Sequence, residues 1–461
     1  MAKLTFHGGA LSVTGGNYLI ETKNSKVLVD CGMFQGFKEA EDQNYEKFPY
    51  DPAEIDAVFI THAHIDHIGR LPKLIKEGFK GSIYATPPTA DLTPIMLEDS
   101  QHLLAAEAKD DKREPLYSEK DVKTTTRHFK GVDYHKDIHV NDDIRVRLRD
   151  AGHILGSAIV EMWVTENGKE KKLVFSGDLG NPPTPLLNYT EFIDNADYVL
   201  TETVYGDRFH EDRAERKGIL ENSIEDVATS GGTLMIPTFA LERTQEILYE
   251  IHTLMDKKRV PEMPIFLDSP LAIKATEVYK KYKNNPLYFN QKTAEFMKGG
   301  HKLFDFPRLK KTLATDESKA INNVPAPKVI IAGSGMSTGG RILHHEKHYL
   351  SDPASMLLII GYQAKGTLGR RLYEGVKEVK IYGDEILVRA KVRAIGGYSA
   401  HADQNGLYAW IESMRAGRER KLKKVFCIQG EEEAATAFAV RLRDYMAIDA
   451  EVPQPGDVFE F

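Results

Sequence analysis

The chain has 461 residues, of which 41% are hydrophobic and 28% charged, and its net charge is −7. These values are those of a globular protein of roughly two or three domains, and they exclude disordered, collagen-like and disulfide-scaffold chains. The acidic balance excludes a protein that coats nucleic acid through bulk charge, and leaves room for a local basic groove.

Uninterrupted apolar runs are short, as in Met356 to Ile360 (MLLII), whereas a membrane span needs roughly 20 residues. No membrane association is expected. Met1 to Ala10 lacks the apolar stretch of a signal peptide. The two cysteines, Cys31 and Cys427, form no framework of spacings and point to a reducing, cytoplasmic setting.

In chain order, Lys26 to Asp30 (KVLVD), Ala57 to Thr61 (AVFIT), Leu173 to Asp178 (LVFSGD) and Tyr198 to Glu202 (YVLTE) are apolar runs that end in polar residues. Buried strands read this way, and their C-terminal ends are where an α/β scaffold displays its chemistry. A charged stretch between about 90 and 130 predicts a solvated or lid-like helix pair. From about 206, four strand-then-helix units follow: Thr233 to Pro237, Pro264 to Leu267, Lys328 to Ala332 and Met356 to Ile360. After the first, Leu241, Thr244, Leu248, Ile251 and Met255 fall on one helix face. Alternation of this kind predicts a Rossmann-like parallel sheet. After about 381 strand patterns return (EILVRAKVRAI, KVFCIQG). The expected organisation is a host domain, 1–205 with 382–461, interrupted by an insertion, 206–381.

The sharpest motif is THAHIDH, residues 61–67. His62, His64, Asp66 and His67 are four potential ligands directly after an apolar strand. His62 and His64 alternate, so an extended backbone points both the same way. Asp66 and His67 follow where the chain turns and can reach a second ion. His153 in AGHILGSA and Asp178 in SGDLG add an imidazole and a carboxylate beside glycines. Zinc takes such ligands, and a carboxylate can bridge two ions.

HxHxDH, GH and GD in this order resemble the metallo-β-lactamase fold, an αββα sandwich with its site at one edge. TETVYG (201–206), DSPLA (268–272), GSGM (333–336), GYQAKGTLGR (361–370) and SAHAD (399–403) resemble the β-CASP subfamily, whose members are nucleases of RNA and DNA. The likeness runs from Phe6 to about Val440, and is strongest to the short bacterial and archaeal members. The KH domains that precede the nuclease in some archaeal members have no counterpart expected here. The resemblance implies two zinc ions. His62, His64 and His153 match the ligands of one, Asp66 and His67 those of the other, and Asp178 the bridge. Asp30 matches the residue that orients the histidine loop. Glu202 and His401 match a pair in which the histidine protonates the leaving oxygen, so Asp66, Glu202 and His401 are the implied catalytic residues. One position departs: Gln429 in IQGE stands where RNA-processing members carry a ligating histidine. A glutamine carbonyl is a weaker zinc ligand, which implies a second site that is weak or takes manganese.

Two glycine loops are candidate substrate contacts. GSGMSTGG (333–340) follows a strand and precedes a helix start near Arg341, so backbone amides near Ser334, Gly335 and Met336 can cradle phosphate. Lys365, Arg370 and Arg371 give the second loop basic side chains, and together the loops would form a phosphate-binding wall facing the metals. The basic run Arg415 to Lys424 reads as a solvated face. His344, His345 and His348 lack a partner carboxylate pattern and read as surface or interdomain packing. The implied activity is a metal-dependent ribonuclease acting on single-stranded RNA through a zinc-activated hydroxide, with endonuclease and exonuclease modes both open. The alternatives are a DNA nuclease of the same subfamily and a non-catalytic subunit of an RNA-processing complex. A small-ester hydrolase is disfavoured by the long insertion. A homodimer is entertained, although no sequence feature fixes the oligomeric state.

Overall fold

The computed structural model describes residues 1–36, 38–210, 216–361, 363–364, 366–395, 398–415 and 421–461. Two compact units divide it: Met1–Phe209 with His401–Phe461, and His210–Ala400.

The first unit holds two seven-stranded sheets. One runs in the order Val458–Glu460, Lys3–Gly8, Asn17–Glu21, Lys26–Val29, Ala57–Phe59, Ser82–Ala85 and Phe129–Gly131. The other runs Ala450–Glu451, Lys424–Ile428, Tyr198–Glu202, Lys169–Phe175, Ala158–Glu166, Ile144–Asp150 and Asp137–His139. The predicted apolar runs are central strands with both faces covered, which is why they lack alternation. Tyr18 and Phe6 of the first sheet meet Phe175 and Phe426 of the second, with ring centroids 6.2 and 5.1 Å apart respectively. Outside the first sheet pack helices Leu71–Lys76, Pro87–Asp110 and Glu119–His128. Outside the second pack Gln404–Arg415 and Glu432–Met446. The layering is the expected αββα sandwich.

Two expectations need correction. The stretch 90–130 is an outer layer of the sandwich rather than a solvated lid. Helix Pro87–Asp110 buries Thr89, Leu92, Thr93, Leu97, Ser100, Gln101, Leu104 and Ala108, a stripe at spacings of three and four. Several of these residues are polar or small, so the charged positions between them dominated the composition. Lys391–Ile395 was expected in the host domain after 382. It pairs instead with Met356–Ile360 as an edge strand of the second unit, which therefore continues to Ala400.

That second unit is built on a six-stranded parallel sheet. Its order is Leu309–Lys311, Ile265–Leu267, Lys328–Ala332, Thr233–Pro237, Met356–Ile360 and Lys391–Ile395. The Rossmann-like alternation is as predicted. Helix Arg243–Asp256 is buried on more than the one expected face, taking Gln245, Glu246 and Glu250 inward with Leu248 and Ile251. No helix among the described residues is long and apolar enough to cross a membrane.

Candidate metal centre

The site forms where strand Ala57–Phe59 gives way to the turn carrying HxHxDH. His64 is the last extended residue (φ −71°, ψ 149°) before the short helix Ile65–Ile68. Asp30, at the end of strand Lys26–Val29, fixes this turn. Its carboxylate accepts from the Thr61 amide (2.8 Å), the Thr61 hydroxyl (2.8 Å) and His67 Nδ1 (2.7 Å). Asp30 takes a left-handed backbone, φ 60°, and its carbonyl accepts from buried Asn17 Nδ2 at 3.0 Å. Gly16 donates its amide to Asp66 O at 2.9 Å. Gly32 approaches so closely that a Cβ there would lie 1.5 Å from Asp66 O.

Four donors converge first. His62 Nε2 lies 2.9 Å from His64 Nδ1, and His153 Nε2 lies 3.3 Å from the same atom. Asp178 Oδ2 lies 3.3 Å from His62 Nε2 and 3.5 Å from His153 Nε2. Ligand atoms arranged tetrahedrally about 2.0–2.1 Å from one ion are separated by roughly 3.3 Å. The donor set fits such an ion in chemistry and in spacing.

A second group shares the same carboxylate. His67 Nε2 lies 3.4 Å from Asp178 Oδ1 and 3.7 Å from Asp66 Oδ2. The Asp30 bond occupies His67 Nδ1, so Nε2 turns inward. Gln429 completes the group, its amide nitrogen 2.9 Å from His67 Nε2 and 3.5 Å from Asp178 Oδ1. A half-turn of that amide presents the carbonyl oxygen instead. The Gln429 backbone is pinned, with its amide donating to Gly9 O (2.6 Å) and its carbonyl accepting from Thr203 (3.2 Å).

The electrostatics suit cations. Burial lowers the proton affinity of His62, His64 and His153 and so favours the neutral imidazole, the form that ligates a metal ion. Burial also opposes charge on His67, but Asp178, Asp30 and Asp66 outweigh it and hold this histidine well above its ordinary range. Burial raises Asp66, with Asp178 adding to the effect. Asp178 is kept well below the ordinary carboxylate range, against burial, by His67, His62 and His401. Three carboxylates around one histidine leave negative charge for a cation to offset.

Beside this cluster, Glu202 is fully buried at the end of its strand. It accepts the Leu179 amide at 2.5 Å and faces His401 Nδ1 at 3.0 Å. Burial works against charge on His401, yet Glu202 and then Asp178 push it up to about 9. Glu202 itself is raised by burial, with His401 opposing. Asp178, Glu202 and His401 have donor atoms within 4.8 Å of one another.

The structure therefore gathers His62, His64, Asp66, His67, His153, Asp178, Glu202, His401 and Gln429 into one place, with Asp30 behind them. The candidate substrate contacts lie in the second unit. Ser334 Oγ accepts the amides of Thr338 (3.0 Å) and Gly339 (3.2 Å), so the glycine loop closes on itself before helix Gly340–Tyr349. Gly335 and Met336 carbonyls accept from Gln363 (3.0 Å) and Gly369 (3.1 Å). Arg370 bonds Glu374 at 2.7 Å, Arg371 is exposed, and Lys365 lies outside the described residues. Of the basic run, Lys423 and Lys424 reach Asp197 and Glu451, while 416–420 lie outside the described residues. His345 corrects its reading. It is buried, and its Nε2 sits 2.7 Å from Asp268 Oδ2, a partner 77 residues away in the chain.

Sequence reasoning passed over Asn17, Thr61, Ser157 and Ser176. Ser157 Oγ accepts the His153 amide (3.0 Å), and Ser176 Oγ accepts the Glu202 amide (2.9 Å). For Thr61, Ser157 and Ser176 the available signal was their place beside the motifs; Asn17 offered none.

Three family matches cover the chain: Metallo-beta-lactamase superfamily over residues 17–237, Beta-Casp domain over 244–372, and Zn-dependent metallo-hydrolase RNA specificity domain over 385–453. Ribonuclease TTHA0252 of Thermus thermophilus is 39% identical over 439 residues, covering 94% of this chain and 97% of that one. An RNase J-like protein of Methanocaldococcus jannaschii is 33% identical and covers 99% of both chains. Transcription termination factor FttA of Methanosarcina mazei is 32% identical, covering 95% of this chain and 68% of its own. A crystal structure of a protein of unknown function from Enterococcus faecalis V583 shares the fold, with a TM-score of 0.57 over 99% of each chain at 12% identity. With its HxHxDH turn, its Glu202–His401 pair and full-length relatives above 30% identity, the chain belongs to the β-CASP branch of the metallo-β-lactamase superfamily.

Proposed function

We propose that the protein is a metal-dependent ribonuclease that hydrolyses phosphodiester bonds of single-stranded RNA. The observation that carries this reading is one shared carboxylate, Asp178, lying between two donor groups and 3.8 Å from a carboxylate-paired histidine, His401. The ribonuclease names of its long relatives agree. His62, His64, His153 and Asp178 would hold one ion. Asp66, His67, Asp178 and Gln429 would hold the second, with zinc expected in the first site and a weaker zinc or manganese in the other. When bound, such ions supply an activated water and offset phosphate charge.

The chain's own groups do the rest. Asp30 fixes the His67 tautomer through Nδ1 and so keeps Nε2 inward. Asp178 offers one oxygen to each donor group and holds them at fixed separation. Glu202 keeps His401 protonated near neutral pH, so that His401 can give its proton to the departing 3′ oxygen. The two-piece unit then carries the hydrolytic site, and the inserted unit carries Ser334, Gly335, Met336 and Arg370 as substrate contacts. A cytoplasmic setting is part of the reading, supported by two free, buried cysteines.

The test is metal analysis of the purified protein coupled to digestion of end-labelled RNA and DNA. Bound zinc and RNA cleavage above a His64→Ala control are expected. No cleavage of either nucleic acid with added zinc or manganese would overturn the enzyme reading. Cleavage of DNA alone would replace it with the DNA nuclease.

A further inference from the structure

Segment 186–193 runs over the loop that carries His153. Thr190 Oγ1 donates to Ala151 O (2.9 Å) and Gly180 O (3.3 Å), and the Glu191 amide donates to Asp150 O (2.9 Å). The fit allows only glycine at 152, where φ is +65° and a Cβ would meet Thr190 N at 2.6 Å and Tyr189 C at 3.0 Å. Gly152 immediately precedes His153. Gly180, the other anchor, forms a β-bridge with His401. From the far side, Trp410 Nε1 donates to Glu191 O and Ser413 Oγ to Ile193 O, each at 3.1 Å. The segment is thus held on both flanks, next to a candidate metal ligand and the candidate proton donor.

Its side chains divide sharply. Leu186, Leu187 and Ile193 are buried at 0%, 2% and 0% exposure, while Tyr189 and Phe192 stand 52% and 57% exposed. The segment buries its aliphatic residues and leaves about half of each aromatic ring open to solvent. Exposed rings on an anchored backbone suit a ligand with flat faces.

We propose that Tyr189 and Phe192 form a base-stacking platform for the single-stranded RNA whose phosphate is cut at the adjacent site. The proposal rests on the ribonuclease reading. The net charge of −7 denies the chain bulk attraction for phosphates, so contacts to the bases would add grip to the few phosphate contacts. Stacking on aromatic side chains does this, and is worth roughly 5- to 150-fold in affinity per base.

The experiment measures kcat and KM on a single-stranded RNA oligonucleotide and on one carrying abasic nucleotides around the cut. Wild type is compared with Tyr189→Ala, Phe192→Ala, the double variant, and the ring-conserving Tyr189→Phe and Phe192→Tyr. Leu103→Ala serves as the control for an exposed apolar side chain elsewhere, Leu103 being 60% exposed. The alanine variants are expected to raise KM on normal RNA by about tenfold each, with kcat and metal content near wild type. The ring-conserving variants should keep the wild-type KM, and the abasic substrate should erase the difference. A wild type that cuts RNA while the double alanine variant keeps its KM overturns the platform alone. So does an equal loss on the abasic substrate, or a loss accompanied by loss of metal. A wild type that cuts no RNA overturns the ribonuclease reading, and the platform falls with it.

Discussion

Glu202 is buried 3.0 Å from His401, and its negative charge, with that of Asp178 behind it, sets when the imidazole holds its proton. With His401 pushed up to about 9, it is protonated at pH 7 and deprotonates only above that value. Activity that needs the proton should hold through neutral pH and fall on the alkaline side near 9. Glu202→Gln removes the largest of the charges that raise His401, so the falling limb should move to lower pH; a pH–rate profile at constant metal content reads this. An unmoved limb would mean that His401 is not the acid. His401→Ala should cost about 10²- to 10⁴-fold in kcat with metal retained. At the second donor group, Gln429→His should tighten metal binding, measured by titration of the metal-free protein. Unchanged stoichiometry and affinity would take residue 429 out of the donor set. Glu346 offers a test of stability. It is buried, Ser337 Oγ donates to one oxygen at 2.5 Å, and burial raises it to about 7. The folded chain then binds a proton that the unfolded chain releases near pH 4.5, so stability falls as pH rises from about 4.5 to 7, by about 3 kcal/mol in all. Glu346→Gln should flatten that decline, seen in urea midpoints measured across this range.

At the level of elements, the site depends on how a strand end, a turn and a short helix are packed. Strand Asn17–Glu21 contributes Asn17 to the Asp30 carbonyl, and Tyr50 donates to Asn17 Oδ1 at 3.1 Å, extending this support outward. Gly32 lets the next backbone lie against Asp66. Gly32→Ala should push the HxHxDH turn away from Asp30 and lower metal content more than it lowers overall helicity, as measured by metal analysis beside circular dichroism. Equal loss of both would make Gly32 a general folding residue. The strand ends that carry Asp30, Thr61, Asp178 and Glu202 were legible in sequence because apolar runs stop at the chemistry. The helix pair of 90–130 is present, but the burial of Pro87–Asp110 was hidden because its inward stripe includes Thr89, Thr93 and Gln101, which composition counts as solvent-facing. Strand Lys391–Ile395 was misassigned because local pattern gives a strand without naming its neighbour. His345 and Asn17 escaped for the same reason: their partners, Asp268 and Asp30, are set by the fold rather than by nearby sequence.

Across the whole molecule, acidic balance and RNA chemistry are compatible if attraction for phosphate is concentrated at a few points, as the proposed site requires. Each phosphate neutralised on a single strand contributes a slope of about −0.7 in log affinity against log salt. A few contacts at one site predict a slope shallower than about −3, read from RNA binding at several salt concentrations. A steeper slope would reveal a basic surface outside the gathered residues.

The register of the second sheet has a consequence for how the protein is made. Glu202 lies opposite Ile428 on parallel neighbouring strands, and Gln429 follows directly. The chain between those strands holds the entire second unit. A nascent chain that has already exposed His62, His64, Asp66 and His67 still lacks His401, Gln429 and strand Lys424–Ile428, which seats Gln429. At about 5–20 residues per second of synthesis, the delay from Glu202 to Gln429 is roughly 10–45 s. During that interval the gathered donor set is incomplete, so the site assembles only once the interrupted unit is closed by its returning strand.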